Sequence, residues 1–261
     1  MRSQIESGAE LLTRLNNKSS LCELEDTLFF EGIRSTDVIE ITGEQSTGKT
    51  HLLSRILAKC ILPNYFQIEG CNASAILINA DHHFQVSKLS ETMSNIIDST
   101  GEKNVDKTTV IQNSLHNLQI INCYNSEQFS LTLHTLEDTF LNNPGTALVA
   151  IDSITAYYWQ DREMNAMTMD SYVKKLLKPV RVPATRFNIV TIYTRPCENM
   201  RYTEKKFATN MSGNNIAYRI HLCKTPNPQK FMCTLETVQT IKRIYYSILS
   251  YGIKWKMDNT E

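Results

Sequence analysis

The sequence predicts an α/β fold with a mostly parallel central sheet, flanked by helices and extended by antiparallel strands at its C-terminal end. Short apolar runs alternate along the chain with segments of helical periodicity. The runs before residue 195 are largely continuous rather than alternating with polar residues, as expected of strands whose two faces are both covered by helices. Strand and helix follow one another in βαβ order, which is typical of doubly wound domains.

Eight apolar runs predict the strands. Those at 38–41, 75–78, 118–121, 147–151 and 189–193 are predicted to form the parallel part of the sheet. After about residue 216 the pattern changes to runs at 216–223, 231–235 and 244–249, with turn residues at Pro226 to Pro228 and at Tyr251-Gly252. These last runs are predicted to be antiparallel strands that extend the sheet.

Three stripes of apolar residues at helical spacing predict amphipathic helices that pack on the sheet. The third stripe contains Pro179, which lacks an amide hydrogen, so we expect that helix to end or kink there. The stripes comprise Val86, Leu89, Met93, Ile96 and Ile97; Phe129, Leu133, Leu136 and Phe140; and Met169, Val173, Leu176, Leu177 and Val180.

Charge and composition exclude several classes of protein. The 261 residues carry 27 basic and 27 acidic side chains. The chain as a whole therefore has no electrostatic attraction to nucleic acid or anionic lipid, and any such contact must be local. The seven cysteines include no CxxC pair, which favours reduced thiols over a zinc or redox motif. No apolar stretch has the length of a signal peptide or a membrane span, so we expect no membrane association.

Residues 1–36 are predicted to form a short acidic helical arm, and residues 37–261 the core. Residues 1–40 contain four basic and eight acidic side chains, a net charge of four minus eight, or −4, which suits a basic protein partner better than DNA. The arm is too short to bury its own apolar residues, so we expect it to dock on a partner. Those residues are Leu11, Leu12, Leu15, Leu21, Leu24, Leu28 and Phe29.

One motif predicts a nucleotide-binding site. Residues 43–50 fit the P-loop pattern GxxxxGK(S/T), between the first apolar run and an amphipathic helix that ends by Pro63. In such a loop the backbone amides surround phosphate oxygens, Lys49 reaches the β and γ phosphates of ATP, and the Thr50 hydroxyl is a ligand for Mg2+. A fortuitous glycine-rich turn is the alternative. The predicted ATP-binding residues are Gly43, Glu44, Gln45, Ser46, Thr47, Gly48, Lys49 and Thr50.

Two carboxylates at predicted strand ends are candidates for the chemistry of this site. Asp152 ends the fourth apolar run and is predicted to bind Mg2+ together with Thr50, although it could instead cap the next helix. Asp81 follows the second run and is predicted to be the catalytic group that polarises the attacking water. The adjacent His82 and His83 point opposite ways on an extended segment, so we expect hydrogen bonding rather than a shared metal ion.

These features resemble the RecA-type recombinase family, and within it a small eukaryotic paralogue. The resemblance covers residues 5–195 well, and the remainder only through its general pattern of apolar runs and turns. Besides the P-loop it rests on Glu6-Ser7-Gly8, Glu10-Leu11-Leu12, Arg14-Leu15, Ser19-Ser20-Leu21, Cys60-Ile61-Leu62-Pro63, Asp81 with His83-Phe84, and Asp152-Ser153 with Ala156, Tyr158-Trp159 and Asp161-Arg162.

The resemblance implies a RecA-like core that binds ATP and Mg2+ and acts in homologous-recombination DNA repair in the nucleus. It also implies a hetero-oligomer with other recombinase paralogues, which supports loading of the strand-exchange recombinase and contacts single-stranded or branched DNA through the complex. No Phe has Ala three residues later, so the family's Phe-x-x-Ala self-assembly motif is missing and we expect no self-polymerisation. The family's helical DNA-binding domain before the core is also expected to be missing.

Two departures from the family predict slow ATP hydrolysis. Asp81 stands where active recombinases have a glutamate, and its carboxylate is one methylene shorter in reach. Thr194-Arg195 stands where the family has a glutamine that senses the γ phosphate. Binding of ATP needs only the loop and Asp152, so we expect it to be retained.

Basic residues between 174 and 206 are candidate DNA contacts. By the resemblance, residues 196–216 correspond to a loop that faces DNA, and Arg201, Lys205 and Lys206 are the predicted, weak contacts with phosphates. A solvated helix face followed by a mobile loop explains the same charges equally well.

A free-standing P-loop enzyme, such as a small-molecule or nucleotide kinase, is the alternative function. Kinases of this sort typically need a lid with several arginines over the phosphates. Between the predicted P-loop helix and Asp152 the sequence contains no arginine, which favours the recombinase paralogue.

Overall fold

The apolar runs pair into a nine-stranded sheet in a computed structural model of the protein, which describes residues 7–8, 20–21, 24–65, 67–101, 106–164, 167–197 and 216–256. The strands are β1 (Val38–Gly43), β2 (Asn64–Tyr65), β3 (Ile68–Glu69), β4 (Ser74–Asn79), β5 (Leu118–Asn122), β6 (Thr146–Asp152), β7 (Val190–Pro196), β8 (Tyr218–Lys224), β9 (Phe231–Glu236), β10 (Ile241–Leu249) and β11 (Gly252–Lys256). All eight predicted strands are present, within three residues of their predicted bounds. The β2–β3 hairpin and β11 were not predicted.

The helices cover the two faces of the sheet. They are α1 (Lys49–Ile61), α2 (Val86–Ser99), α3 (Lys107–Leu115), α4 (Ser126–His134), α5 (Leu136–Asn142), α6 (Tyr158–Met164) and α7 (Met169–Arg186). The second predicted stripe is divided at Thr135 into α4 and α5, although all its apolar residues are buried. The unpredicted α3 buries only Val110 and Ser114, too few residues to give a stripe. No helix in the described ranges is long and apolar enough to cross a bilayer.

The order of strands across the sheet is β11-β10-β9-β8-β1-β7-β6-β4-β5. Every pair from β8 to β5 is parallel, and the pairs among β8, β9, β10 and β11 are antiparallel. The predicted antiparallel extension of the sheet is therefore confirmed for β9, β10 and β11, while β8 is antiparallel to β9 but parallel to β1. The connection formed by residues 197–217 is long enough for the crossover that a parallel pair requires, and strand composition alone does not reveal it.

The longest helix continues through two prolines. α7 runs to Arg186 past Pro179 and Pro183, so Pro179 does not end it. Each proline removes one amide donor from the helix. The buried face of α7 packs on α4 and α5, and this burial offsets the missing hydrogen bonds.

Two hydrophobic cores lie on opposite sides of the sheet. The first packs α1, α2 and inward residues of the C-terminal strands against β1, β4 and β6. The second packs α4, α5 and α7 against the other face of β4, β6 and β7. The carboxyl ends of β1, β4, β6 and β7 therefore meet at one edge of a rigid, doubly covered sheet, which is where ligands bind in open α/β sheets.

The described part of the N-terminal segment packs on the chain's own core. Leu24 and Leu28 are fully buried in the first core, and Phe29 is 2% exposed with its ring 5.2 Å from that of Tyr218. Glu25 accepts hydrogen bonds from Arg55 and Trp255. The predicted docking of Leu21, Leu24, Leu28 and Phe29 on a partner is therefore wrong, whereas Leu11, Leu12 and Leu15 lie outside the described residues.

Replacing Phe29 with alanine tests this packing. Phe29→Ala should lower the free energy of unfolding by about 3–5 kcal/mol because it leaves a cavity against Tyr218. The adjacent Phe30 is 45% exposed, so Phe30→Ala, the matched control, should cost less than about 1 kcal/mol. Urea denaturation followed by circular dichroism measures both. Equal losses for the two variants would contradict the assignment of residues 24–33 to the core.

Candidate nucleotide-binding site

The P-loop joins the buried strand β1 to helix α1 and is shaped by its own backbone. Ser46 and Gly48 have φ angles of 62° and 87°, in the left-handed region. A Cβ atom at Gly43 would lie 2.4 Å from the carbonyl oxygen of Leu222, so no side chain fits there. Gln45 and Ser46 are exposed at the tip of the loop. This conformation leaves the amino end of α1 open, and such an end attracts phosphate.

Lys49 and Thr50 converge on the end of β6. The Lys49 ammonium donates to the carbonyl oxygens of Gly43 at 3.1 Å and Glu44 at 2.9 Å. The Thr50 hydroxyl donates to the Asp152 carboxylate at 3.0 Å. Burial lowers the pKa of Lys49, and the negative charges of Asp152 and Asp81 oppose this shift. A cation, a hydroxyl and a carboxylate therefore meet at the mouth of the loop.

Asp152 has a second hydroxyl partner that the sequence did not reveal. The hydroxyl of Thr194, on β7, donates to the other carboxylate oxygen of Asp152. Asp152 is 2% exposed, so two hydroxyl donors satisfy a buried carboxylate and fix its orientation. Asp152 ends β6 and does not cap a helix: α6 begins at Tyr158.

Asp81 lies beside Asp152 through backbone contacts. The amide groups of Ala80 and Asp81 donate to the Asp152 carbonyl at 2.7 and 3.0 Å. Burial and the Asp152 charge raise the pKa of the Asp81 carboxyl, while His83, Lys49 and His82 lower it. Asp81 thus lies at the same edge of the sheet as the P-loop, as its position after β4 predicts, and it is next to Asp152.

The two histidines after Asp81 have different surroundings. The Nε2 atom of His82 lies 2.9 Å from the carbonyl oxygen of Cys123, and its ring stacks on Tyr124 with 4.8 Å between centroids. His83 is exposed. Across the described ranges, no cluster of three or more metal-ligating side chains is found.

The C-terminal strands support the P-loop from behind. The Tyr246 hydroxyl, on β10, donates to the Thr47 carbonyl at 2.6 Å, and the Thr47 hydroxyl donates to the Glu44 carbonyl at 2.8 Å. A Cβ atom at Gly48 would lie 3.1 Å from Ile248. Tyr246 was missed by sequence reasoning because it lies 199 residues from Thr47.

Arg195 is paired with two carboxylates. Its guanidinium lies 2.6 Å from Glu40 and 2.8 Å from Asp170 and is 16% exposed. Burial alone lowers the pKa of Arg195, but the charges of Glu40, Tyr193 and Asp170 outweigh it and raise the pKa. The residue at the predicted γ-phosphate sensor position therefore has a structural role.

Glu40 is the centre of a buried network that joins three neighbouring strands. Its register partners are Tyr193 on β7 and Arg219 on β8. The Tyr193 hydroxyl donates to Glu40 at 3.0 Å, and the Arg219 guanidinium donates at 2.5 Å. Arg219 also lies 3.5 Å from Glu236 on β9. Sequence reasoning missed this network because a single Glu in a strand has no partner nearby in the chain.

The predicted DNA contacts Arg201, Lys205 and Lys206 lie outside the described residues. Of the other basic residues in that stretch, Lys174, Lys175 and Lys178 are exposed on α7, and Arg186 pairs with Glu137. Arg195 belongs to the Glu40 network and is not a surface cation.

A cleft of about 1180 Å3 lies apart from the P-loop, between α1, α2, β10 and β11. Its charged lining is partly paired within the protein. Arg55 pairs with Glu25, and Lys59 with Glu69. The P-loop edge of the sheet, and not this cleft, carries the groups suited to nucleotide chemistry.

The fold and the site together define a P-loop nucleotide-binding protein of the RecA-like class. Comparison with known families identifies the family: residues 16–215 match Rad51, and the chain belongs to the Rad51 family. The resemblance inferred from the sequence is thereby confirmed.

Individual relatives agree with this assignment. The chain is 28% identical to the mouse DNA repair protein XRCC2 over 228 residues, which is 84% of this chain and 79% of the mouse protein. It is 25% identical to the Arabidopsis thaliana DNA repair protein XRCC2 homolog over 184 residues, 59% of this chain and 50% of that protein. The crystal structure of the RadB recombinase superposes with a TM-score of 0.65 at 18% identity, covering 91% of this chain and 96% of RadB. At that identity the RadB comparison supports the fold alone.

Proposed function

We propose that this protein is an ATP-binding Rad51 paralogue that acts in homologous-recombination DNA repair as a non-polymerising subunit of a paralogue complex. One observation carries the proposal: Lys49 and Thr50 of a P-loop lie against Asp152 in a chain of the Rad51 family. The similarity to the mouse protein named DNA repair protein XRCC2 supports the repair role.

The residues of the site fit ATP and Mg2+. The Thr50 hydroxyl and the Asp152 carboxylate, 3.0 Å apart, are hard oxygen ligands of the kind that Mg2+ prefers. Lys49 and the loop amides would hold the phosphates. Bound Mg2+ would neutralise phosphate charge, while the protein's own part is to orient the phosphates and to fix the Asp152 carboxylate through the hydroxyl groups of Thr50 and Thr194.

Slow hydrolysis of ATP is part of the proposal. Asp81 is the residue that would accept a proton from the attacking water, but its side chain is one methylene shorter than that of a glutamate, so the carboxylate would lie too far from the water. Arg195 is committed to Glu40 and Asp170, so it does not replace a γ-phosphate sensor. A site that binds ATP and hydrolyses it slowly suits the assembly of subunits better than repeated cycles of hydrolysis.

A small-molecule or nucleotide kinase is not favoured. Membership of the Rad51 family counts against it. Within the part of the chain that the structure describes, no arginine lies between Arg55 on α1 and Asp152, so a lid that would cover a transferred phosphate is also lacking there.

The proposed partners are other recombinase paralogues in a hetero-oligomer, acting in the nucleus on single-stranded or branched DNA through the complex. Residues 201–206, between β7 and β8, remain candidates for a weak DNA contact through Arg201, Lys205 and Lys206. Lack of a Phe-x-x-Ala motif supports assembly with different chains over self-polymerisation.

Removing the P-loop lysine tests nucleotide binding. Lys49→Ala should weaken the affinity for ATP with Mg2+ by about 10- to 150-fold, the equivalent of a charge-assisted contact of about 1.5–3 kcal/mol. Fluorescence anisotropy with a labelled ATP analogue measures the affinity. Lys178→Ala, an exposed lysine on α7, is the control and should bind as the wild type does. Equal affinities for Lys49→Ala and the control would refute the site.

Lengthening the catalytic side chain tests the reason for slow turnover. Asp81→Glu should raise the rate of phosphate release by up to about 100-fold, since a misplacement of about 1 Å can cost that factor. Asp81→Asn should lower the residual rate, and neither variant should lose ATP affinity. Rapid release by the wild type that persists in Asp81→Ala would show that another group activates the water.

Co-purification tests the repair assignment. The tagged full chain, recovered from cells that express it, should carry other Rad51-family proteins, identified by mass spectrometry. The variant Lys178→Ala, which loses one exposed charge, should recover the same proteins as the wild type. Recovery of the chain alone, at full yield and bound to nucleotide, would contradict the paralogue complex and return the kinase alternative to consideration.

A further inference from the structure

Positive charge is concentrated in the last strands of the protein. Residues 224–256 contain one acidic residue, Glu236, in a chain whose net charge is zero. Glu236 is 3% exposed and lies beside Arg219, so it does not neutralise the surface of these strands. The six basic residues are Lys224, Lys230, Lys242, Arg243, Lys254 and Lys256.

Strand geometry places most of this charge on one face of the sheet. Side chains alternate between the two faces of a strand, and the rings of Tyr246 and Trp255 contact each other on the face that covers the first core. Tyr245 and its register partner Lys256 therefore lie on the opposite face. Arg243 precedes Tyr245 by two residues on β10, and Lys254 precedes Lys256 by two on β11.

An aromatic ring lies at the centre of these cations. The ammonium of Lys230 is 3.5 Å from the centroid of the Tyr245 ring, a cation–π contact that holds it over the same face. Arg243, Lys254 and Lys256 are exposed. We call this surface the basic face; it consists of Lys230, Arg243, Tyr245, Lys254 and Lys256.

Protection of the sheet edge does not account for the basic face. Lysines on an edge strand such as β11 do discourage pairing with another chain. Tyr245, however, lies on β10 between register partners on both sides, Met232 on β9 and Lys256 on β11. Within the described ranges neither Lys254 nor Lys256 has an ion-pair partner, whereas the surface lysines Lys88 and Lys107 each pair with a carboxylate.

We propose that the basic face binds single-stranded DNA through its phosphate backbone. The proposal rests on the DNA-repair function proposed above and gives it a contact surface. Lys254 and Lys256 are spaced by about 7 Å along the strand, so each can neutralise a separate phosphate. Side-chain amines that do so release counterions, and binding then depends steeply on salt. A tyrosine ring among cations suits contact with an unstacked base.

The salt dependence of DNA binding tests the basic face. The full chain in its paralogue complex is titrated with fluorescent poly(dT), and log affinity is plotted against log salt. Lys254→Gln should lower the slope by about 0.7 and Lys254→Gln/Lys256→Gln by about 1.4, at about 0.7 per single-strand phosphate. Lys242→Gln is the matched control, because Lys242 lies on the opposite face, 5.1 Å from the Phe30 ring. It should leave the slope unchanged.

The outcomes separate this inference from the proposed function. An unchanged slope in the double variant, with ATP binding and paralogue recovery intact, overturns the basic face alone. A wild-type protein that binds neither ATP nor paralogues overturns the proposed function. Poly-glutamate that displaces poly(dT) as well as unlabelled poly(dT) does would identify a docking surface for acidic protein and overturn the DNA assignment.

Discussion

The orientation of one carboxylate, that of Asp152, decides whether the nucleotide site exists. Thr50 from the P-loop helix and Thr194 from β7 donate to its two oxygens, and its carbonyl accepts the amides of Ala80 and Asp81. Three neighbouring strands and one helix therefore meet at a single residue. Any shift of β6 against β7 or β4 would move the proposed Mg2+ ligand, Asp152, and the catalytic candidate, Asp81, together.

A second constraint acts deeper in the sheet, where Glu40 joins β1 to β7 and β8. Charges this well buried are expensive to remove from water, and they are tolerated only when they are fully paired. Glu40 faces two arginines and a tyrosine hydroxyl, so loss of its carboxylate would leave Arg195 paired with Asp170 alone and Arg219 with Glu236 alone, at a cost of up to about 3–5 kcal/mol. The same network includes Arg195, whose guanidinium lies between Glu40 on β1 and Asp170 on α7.

Local patterns in the sequence predicted the strands, the P-loop and the two aspartates, because apolar runs and phosphate-binding loops are formed by residues that are adjacent in the chain. What could not be predicted depends on partners far apart in the chain. Arg219 is 179 residues from Glu40, and Tyr246 is 199 residues from Thr47. The direction of β8 depends on the path of the connection before it, and the burial of Leu24 and Leu28 depends on a surface made by α1 and the last strands.

The contact between Tyr246 and the Thr47 carbonyl has a consequence for the order in which the site matures. The P-loop is supported by β10 and β11, although Tyr246 follows Thr47 by 199 residues in the chain. During synthesis the loop therefore leaves the ribosome before the strands that support it, and it lies next to an incomplete sheet until they are made. A nascent or truncated chain that lacks these strands contains the complete P-loop sequence. Its loop, however, lacks the contacts with Tyr246 and Ile248 that support it.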